Sequence, residues 1–281
     1  MQENLLGLVE QAGVVGAGGA GFPTHVKLKA QADTVIINGA ECEPLLRVDQ
    51  QLMALQAGDL LDALDLLVEQ VGASQGVVAL KEHYHAAVEA LERELSRHPR
   101  LRIHRMGAFY PAGDEQVIVY EVTGRVVPEG GIPLNVGVVV SNVETALNVL
   151  AAVRHQAPVI EKYVTLTGAV RTPKTVKVPL GITVAEALAL AGGPTVEHYD
   201  GACGEHRKRY YQDHKGTHRG PGGPFPPPEP EPARAADAPG CPGGLYAVLP
   251  VLRGLPAGPA GAPHPAAQDD APGRLWRPLR P

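Results

Sequence analysis

Aromatic residues and cysteine are scarce in this sequence. Phe, Trp and Tyr together make up 4% of the 281 residues, with three Phe and one Trp. So few ring faces do not build the stacking platforms that hold single-stranded nucleic acid. Positive charge is outnumbered too: 25 Lys and Arg face 30 Asp and Glu, a formal net charge of −5. That balance gives no electrostatic footprint for nucleic acid. Three cysteines, Cys42, Cys203 and Cys241, do not make a disulfide framework. No apolar run is long enough to span a bilayer. The start, Met1-Gln2-Glu3-Asn4, lacks the basic stretch and apolar core of a secretory signal. A cytoplasmic location is therefore expected. His83, His85, His104 and His155 show no metal-ligand spacing with cysteine, and no Ser-His-Asp arrangement is visible. No catalytic side chain and no metal site are assigned.

Glycine, by contrast, is abundant and concentrated. Residues 16–24 read Gly-Ala-Gly-Gly-Ala-Gly-Phe-Pro-Thr. Glycines at this density let a backbone come close to a flat or anionic ligand and permit positive φ. Phe22 adds an aromatic face, and Pro23 stiffens the exit. A short β-branched apolar run at 34–37 reads as a buried strand. It is followed by Asn38-Gly39-Ala40-Glu41-Cys42-Glu43-Pro44, a turn that brings Glu41 and Glu43 to the carboxyl edge of a sheet. Ligands sit at that edge in open α/β folds.

The rest of the first half alternates in the same way. Residues 4–13 predict a helix, and a second is predicted to start at 25–31. Helical spacing of Leu52, Leu55, Leu60, Leu61, Leu64 and Leu67 predicts one or two helices over 49–71. Strands are predicted at 76–80 and 101–106, with an amphipathic helix over 83–96 between them. The order β-α-β-α-β implies a parallel sheet covered by helices. Further on, Tyr110-Pro111-Ala112-Gly113-Asp114-Glu115 precedes a helix over 116–123. A strand at 137–140 then leads into Ser141-Asn142-Val143-Glu144-Thr145, where Ser141 or Asn142 caps the next helix. Residues 163–168 alternate like a strand. A turn at 171–175, a strand at 176–178 and a Thr183-capped helix closed by Gly192-Gly193 follow.

The glycine loop and the Asn-Gly-Ala-Glu-Cys-Glu-Pro turn together resemble the flavin- and NADH-binding 51 kDa family of respiratory complex I. The resemblance is closer to its branches, the Rnf-complex C subunits and the cobalamin reductases of propanediol utilisation. It covers residues 10–195. It implies a parallel Rossmann-like flavin-binding sheet over residues 1–155, then a small β-grasp module of the SLBB type over 160–196. In that family Gly16, Gly18, Gly19, Gly21 and Phe22 match the loop packed against flavin and nicotinamide, and Lys27 joins the cofactor-binding set. Asn38, Glu41 and Glu43 match the flavin-contacting turn, although two such carboxylates could instead cap a helix. Lys81, at a strand end, is a candidate for the FMN phosphate or an ordinary solvated charge. Tyr110, Gly113, Asp114 and Glu115 match the complex I segment Tyr-x-Cys-Gly-Glu-Glu, with Ala112 in place of that cysteine and Asp114 for the first Glu. Asn142, Glu144 and Thr145 match the family's Asn-Val-Glu-Thr at a helix start suited to a phosphate or ribityl hydroxyl.

The resemblance implies FMN and NADH as cofactors and an electron-transfer flavoprotein as the activity. Electrons would pass, in intact relatives through 4Fe–4S clusters, to a corrinoid or corrinoid enzyme. It also implies partner electron-transfer proteins or a homo-oligomer, and a place within a bacterial microcompartment. The loop begins at Gly16, which makes the reductase branch the expectation and the Rnf branch the alternative. A reading of another class stays open, a non-catalytic fragment whose SLBB module docks to a partner.

From about residue 200 the composition breaks. Seventeen of the 27 prolines lie in residues 221–281, mixed with Gly, Ala and Arg, and hydrophobic periodicity is lost. Residues 200–281 are expected to be an irregular tail, as in a Pro-rich linker. A shifted reading frame explains more. Read one nucleotide later, the junctions Leu245/Tyr246, Val248/Leu249, Val251/Leu252 and Leu255/Pro256 each permit Cys, and Pro256/Ala257 permits Pro. The result is C-x2-C-x2-C-x3-C-P, the ferredoxin cluster run. Junctions over 212–219 permit Lys-Thr-Thr-Lys-Gly-Leu-Ile, and those over 261–265 permit Gly-His-Pro-Ile, segments carried in that order by the propanediol-utilisation enzymes. In the frame as written, Cys42, Cys203 and Cys241 fall short of the four thiolates that one cubane needs. Iron and acid-labile sulfide analysis of the purified chain should find neither. About four irons per molecule would refute the frame-shift reading.

Overall fold

Continuous β-branched runs form the centre of the molecule because both of their faces are buried. The computed structural model describes residues 2–18, 21–43, 45–195, 199–205, 208–213, 218–219 and 247–252. Helices α1 (Gln2–Gln11) and α2 (Thr24–Lys27) flank the glycine loop. Then come β1 (Thr34–Asn38), α3 (Val48–Leu55), α4 (Ala57–Gln70), β2 (Gln75–Lys81), α5 (His85–Leu95), β3 (Leu101–Met106) and α6 (Glu115–Thr123). A 3-10 turn (Pro133–Val136), β4 (Val138–Asn142) and α7 (Val143–His155) complete the first domain.

The four strands form a parallel sheet in the order β3-β2-β1-β4. Side chains of a strand alternate between faces, and β1 divides accordingly. Val35 and Ile37 join the larger core, with Leu60, Leu61 and Leu64 of α4, Leu52 of α3, Leu91 of α5 and Val149 of α7. Ile36 joins the smaller core on the opposite face, with Val77, Ala79, and Ile118 and Val119 of α6. Helices on both faces leave β1 no polar side, hence its uninterrupted Val-Ile-Ile.

A second unit follows. Strands β5 (Glu161–Leu166) and β6 (Lys174–Pro179) pair antiparallel, and α8 (Val184–Leu190) packs Ala187 and Leu188 against Val164, Leu166, Val176 and Val178. Thr183 caps α8 in a capping box with Glu186. Gly192 and Gly193 end the unit at φ of 78° and 81°, a left-handed geometry that suits glycine.

Two particulars differ from the sequence expectation, and one choice it left open is settled. The helix expected to start at 25–31 is one turn, and the chain then follows turn hydrogen bonds from Lys29 to Val26 and from Ala30 to Lys27. The 49–71 segment breaks at Gln56, whose φ of −126° is outside the helical range, giving two helices. In the tail, four stretches are strands: β7 (Tyr199–Glu205), β8 (Lys208–Asp213), β9 (His218–Arg219) and β10 (Ala247–Leu252). They extend the second sheet in the order β6-β5-β10-β7-β8-β9, with β10 parallel to β5. Strand β10 is an apolar run within the Pro-rich tail, Ala-Val-Leu-Pro-Val-Leu. Cys203 falls on β7; Cys241 and the remaining tail positions lie outside the described residues.

Packing at the sheet centre is tight enough to test. A Cβ added at Gly76 on β2 would lie 2.6 Å from Leu101 Cδ2, 2.8 Å from Leu64 Cγ and 2.9 Å from Val68 Cγ2. Gly76→Ala should therefore destabilise the domain by about 1–3 kcal/mol, the usual cost of overpacking a filled core. Urea denaturation reads the change, and an unaltered midpoint would show that these side chains yield freely.

Candidate functional site

The carboxyl ends of β1 and β4 lie side by side, with Asn38 and Asn142 as register partners. Past that edge opens a cavity of about 890 Å³, a volume in the range of small-molecule and cofactor sites. Three loops wall it: the glycine loop, the turn after β1 and the start of α7. Side-chain hydrogen bonds tie these walls together and to the turn before α6.

Asn38 donates its Nδ2 to Gly113 O at 2.9 Å, while its Oδ1 accepts from Ala40 N at 3.1 Å. It thereby joins the turn after β1 to the turn before α6. The contact is close: a Cβ on Gly113 would lie 2.2 Å from Ala40 O and 2.8 Å from Cys42 Sγ. Gly113 N donates to Cys42 Sγ at 2.9 Å, and burial pushes the Cys42 thiol pKa up. Asp114 caps α6 by accepting from Gln116 N and Val117 N. Asn142 caps α7 by accepting from Glu144 N at 2.9 Å, and donates its Nδ2 to Asp49 Oδ2 at 2.8 Å. The glycine loop rests on the same helix start: Ala17 N donates to Thr145 Oγ1 at 2.8 Å, and a Cβ on Gly18 would stand 3.3 Å from Asn142 Cβ.

Among the charged residues of the lining, the carboxylates Glu41, Asp49, Asp114, Glu115 and Glu144 outnumber Lys27 and Lys162. Lys27 Nζ donates to Val140 O at 2.9 Å and stands 3.8 Å from Glu115. Its side chain is 34% exposed, the more accessible of the two lysines. Lys162, on β5, is buried and paired closely with Glu144. Asp49 is buried in the first turn of α3. Burial holds its carboxyl pKa well above the usual range; Glu41 and Glu144 add to the effect, and Lys162 and the Asn142 hydrogen bond oppose it.

The cavity gathers Gly16, Gly18, Phe22, Lys27, Asn38, Glu41, Gly113, Asp114, Glu115, Asn142, Glu144 and Thr145 among its lining. Phe22 is 46% exposed, so it is no core aromatic. Four candidates stand elsewhere. Lys81 does not line the cavity: its Nζ donates to Glu41 O at 2.5 Å, which holds the turn from behind. Glu43 is outside the lining, and its backbone N donates to Glu41 Oε1 at 3.2 Å. Tyr110 is 80% exposed and off the lining. Gly21 shapes the loop at φ 60° without reaching the cavity wall. Gly19 lies outside the described residues.

Sequence reasoning missed Asp49, Lys162 and Tyr163, all of which line the cavity. Nothing in the local pattern marks Asp49 as buried. Lys162 carried a usable signal, since it shares a strand face with Val164 and Leu166, both buried. Among the described residues no group of three or more His, Cys, Asp or Glu is placed to hold a metal ion. Nor is any described helix long and apolar enough to cross a membrane.

Residues 9–151 match the Nuo51 FMN-binding domain family, and residues 163–217 match the SLBB domain. The chain is 51% identical over 189 residues to cobalamin reductase PduS of Citrobacter freundii, covering 67% of this chain and 42% of that one. It is 37% identical over 191 residues to the C component of the Na(+)-translocating ferredoxin:NAD(+) oxidoreductase complex of Acetobacterium woodii, covering 66% and 43%. The chain thus spans less than half the length of these relatives. Among solved structures, an NAD+-reducing [NiFe]-hydrogenase in the H2-reduced state is similar at a TM-score of 0.60 and 23% identity, over 79% of this chain and 43% of that one, a likeness of fold.

The state of Asp49 can be read from stability. Its raised pKa means that the folded chain holds this proton more tightly than the unfolded chain does. That contribution is full below the ordinary carboxylate pKa and is lost as pH rises through the folded value. Asp49→Asn keeps an acceptor for Asn142 and stays neutral. Its stability relative to the parent should rise between pH 5 and pH 8 and exceed the parent's at pH 8, each unit of pKa difference being worth about 1.4 kcal/mol, or roughly 3–5 °C in a domain of this size. Melting curves at the two pH values check this; a variant no more stable at pH 8 would place a charged carboxylate there.

Proposed function

Since the chain belongs to the Nuo51 FMN-binding family, we propose that its cavity holds FMN and admits NADH, making it an NADH-oxidising electron-transfer flavoprotein. The observation that carries this reading is the meeting of three loops at one sheet edge. The glycine loop, the Asn38 turn and the Asn142 helix start all face the same cavity.

The lining fits the group in its chemistry. Gly16 and Gly18 present backbone without side chains, so a flat ring system can lie against them. Lys27 is the ammonium accessible to a phosphate. Glu41 and Glu115 are acceptors suited to the hydroxyls of a ribityl chain or ribose. The half-exposed Phe22 offers a face to a second planar ring at the opening. When bound, FMN would supply the redox chemistry, accepting two electrons as hydride and releasing them singly. The residues themselves bind, orient and exclude water. Asn38 and Asn142 have their amide groups committed to neighbouring segments, so their part is to hold the walls in place.

Cobalamin reductase-like transfer to a corrinoid is the preferred acceptor reading, supported by 51% identity to a protein of that name. The same likeness supports work beside partner proteins, in a propanediol-utilisation microcompartment, as part of this reading. The lower identity to a component of a ferredoxin:NAD(+) oxidoreductase complex puts that assignment second. The described residues do not fit an iron–sulfur centre, and no electron step is routed through one.

The test uses the whole chain, reconstituted with FMN and desalted. Retained flavin, a Kd below about 100 μM (roughly −5.5 kcal/mol) and bleaching by NADH are expected. A colourless protein would overturn the reading.

A further inference from the structure

The FMN-domain match ends at residue 151, before the second unit begins. The cavity does not respect that boundary. Lys162 and Tyr163 of β5 line it alongside residues of the first domain. We propose that the SLBB module forms a wall of the cofactor site, and that Lys162 is the positioning residue through which it sets the glycine loop; the cofactor part of this rests on the FMN reading above.

Ala17 is held through both of its backbone polar groups. Its N–H donates to Thr145 Oγ1 at 2.8 Å, from α7. Its carbonyl accepts from Lys162 Nζ at 3.1 Å, from β5. Glu144 closes the ring between the two elements: its carboxylate pairs with Lys162 and accepts from Tyr163 N at 3.1 Å. Further along β5, Thr165 Oγ1 accepts from Arg47 N at 3.1 Å, so the strand also steadies the segment after the Asn38 turn.

Three features make this a site device and not only a domain seam. Gly16 and Gly18 give the loop backbone freedom that a ligand would have to remove on binding. Anchoring the intervening Ala17 removes it beforehand. A buried ion pair is, moreover, a poor way to gain stability, because desolvating two charges can exceed their attraction. An apolar pair would join two domains as well, but would leave the Ala17 carbonyl without its donor. Finally, Lys162 sits on the strand face otherwise given to core residues Val164 and Leu166, and from there it reaches past its own unit's core to the loop.

Two measurements decide it. In the chain without added cofactor, hydrogen exchange should protect the Ala17 amide to the same degree as β5. A freely exchanging loop beside a protected β5 would overturn the proposal, whether or not FMN binds. Next, Lys162→Met with Glu144→Gln removes both charges and keeps similar volume. Lys162→Leu with Glu144→Leu is a second route to a folded chain. In whichever pair melts near the parent temperature, the Ala17 amide should lose protection and FMN affinity should fall at least tenfold by fluorescence titration. Parent-like exchange or parent-like affinity in a folded pair would overturn the proposal. If the parent itself fails to bind FMN, the functional reading falls, while the exchange results still decide the anchoring.

Discussion

Everything at the site depends on one pairing, the parallel register of β1 with β4. It places Asn38 and Asn142 directly opposite each other at the ends of their strands. From that shared level each asparagine reaches a different neighbour, Gly113 on one side and Asp49 on the other. A shift of one residue would turn every side chain of β1 to the other face and separate the two amides. Burial on both sides of the sheet opposes such a shift. Ile36 and Ile37 occupy different cores, one closed by α6 and the other by α3, α4, α5 and α7. The geometry of a polar site is thus set by the apolar packing of the residues just before it.

The charge arrangement is a consequence of the same convergence. Bringing Glu41, Asp49 and Glu144 to one edge concentrates negative charge where water is limited. Like charges so placed cannot all stay ionised unless countered. Lys162 counters Glu144, while burial leaves Asp49 with a raised pKa. Lys27 is left towards solvent with its ammonium on a backbone carbonyl and at longer range from Glu115. A cavity with acceptors deep inside and a cation nearer the opening is polarised, and a ligand with hydroxyls at one part and an anionic group at another matches that polarity.

Much of this is legible in the chain because local and global signals agree there. The run at 34–37 is short, β-branched and continuous, the pattern of a doubly buried strand. Asn142 followed by Glu144 carries the marks of a helix start. The site loops are visible through glycine and asparagine, whose backbone demands are specific. What escapes is decided by distance. Lys81 ends a strand as a phosphate ligand would, yet the turn after β1 folds back to within its reach and takes its ammonium. Asp49 looks like an ordinary acid in a helical first turn, and only the approach of α7 gives it a partner in Asn142. Glu144 lines the cavity where its motif places it, but the lysine that pairs with it there comes from another unit, eighteen residues along. In the tail, surrounding proline and glycine hide the strand pairing through β10. Strands that find their partners across about 80 residues leave no short-range pattern.

The position of the tail bears on function. Every described residue lining the cavity falls between Gly16 and Tyr163. The described tail strands join the molecule through β10, which pairs with β5 at Thr165 and Leu166. Those two residues follow Lys162 and Tyr163 on the same strand, and Thr165 also accepts from Arg47, next to the cavity-lining Leu46 and Val48. Strand β5 therefore has side chains on the cavity and an edge on the tail. A single strand is thus the common boundary of the cavity and the described tail strands.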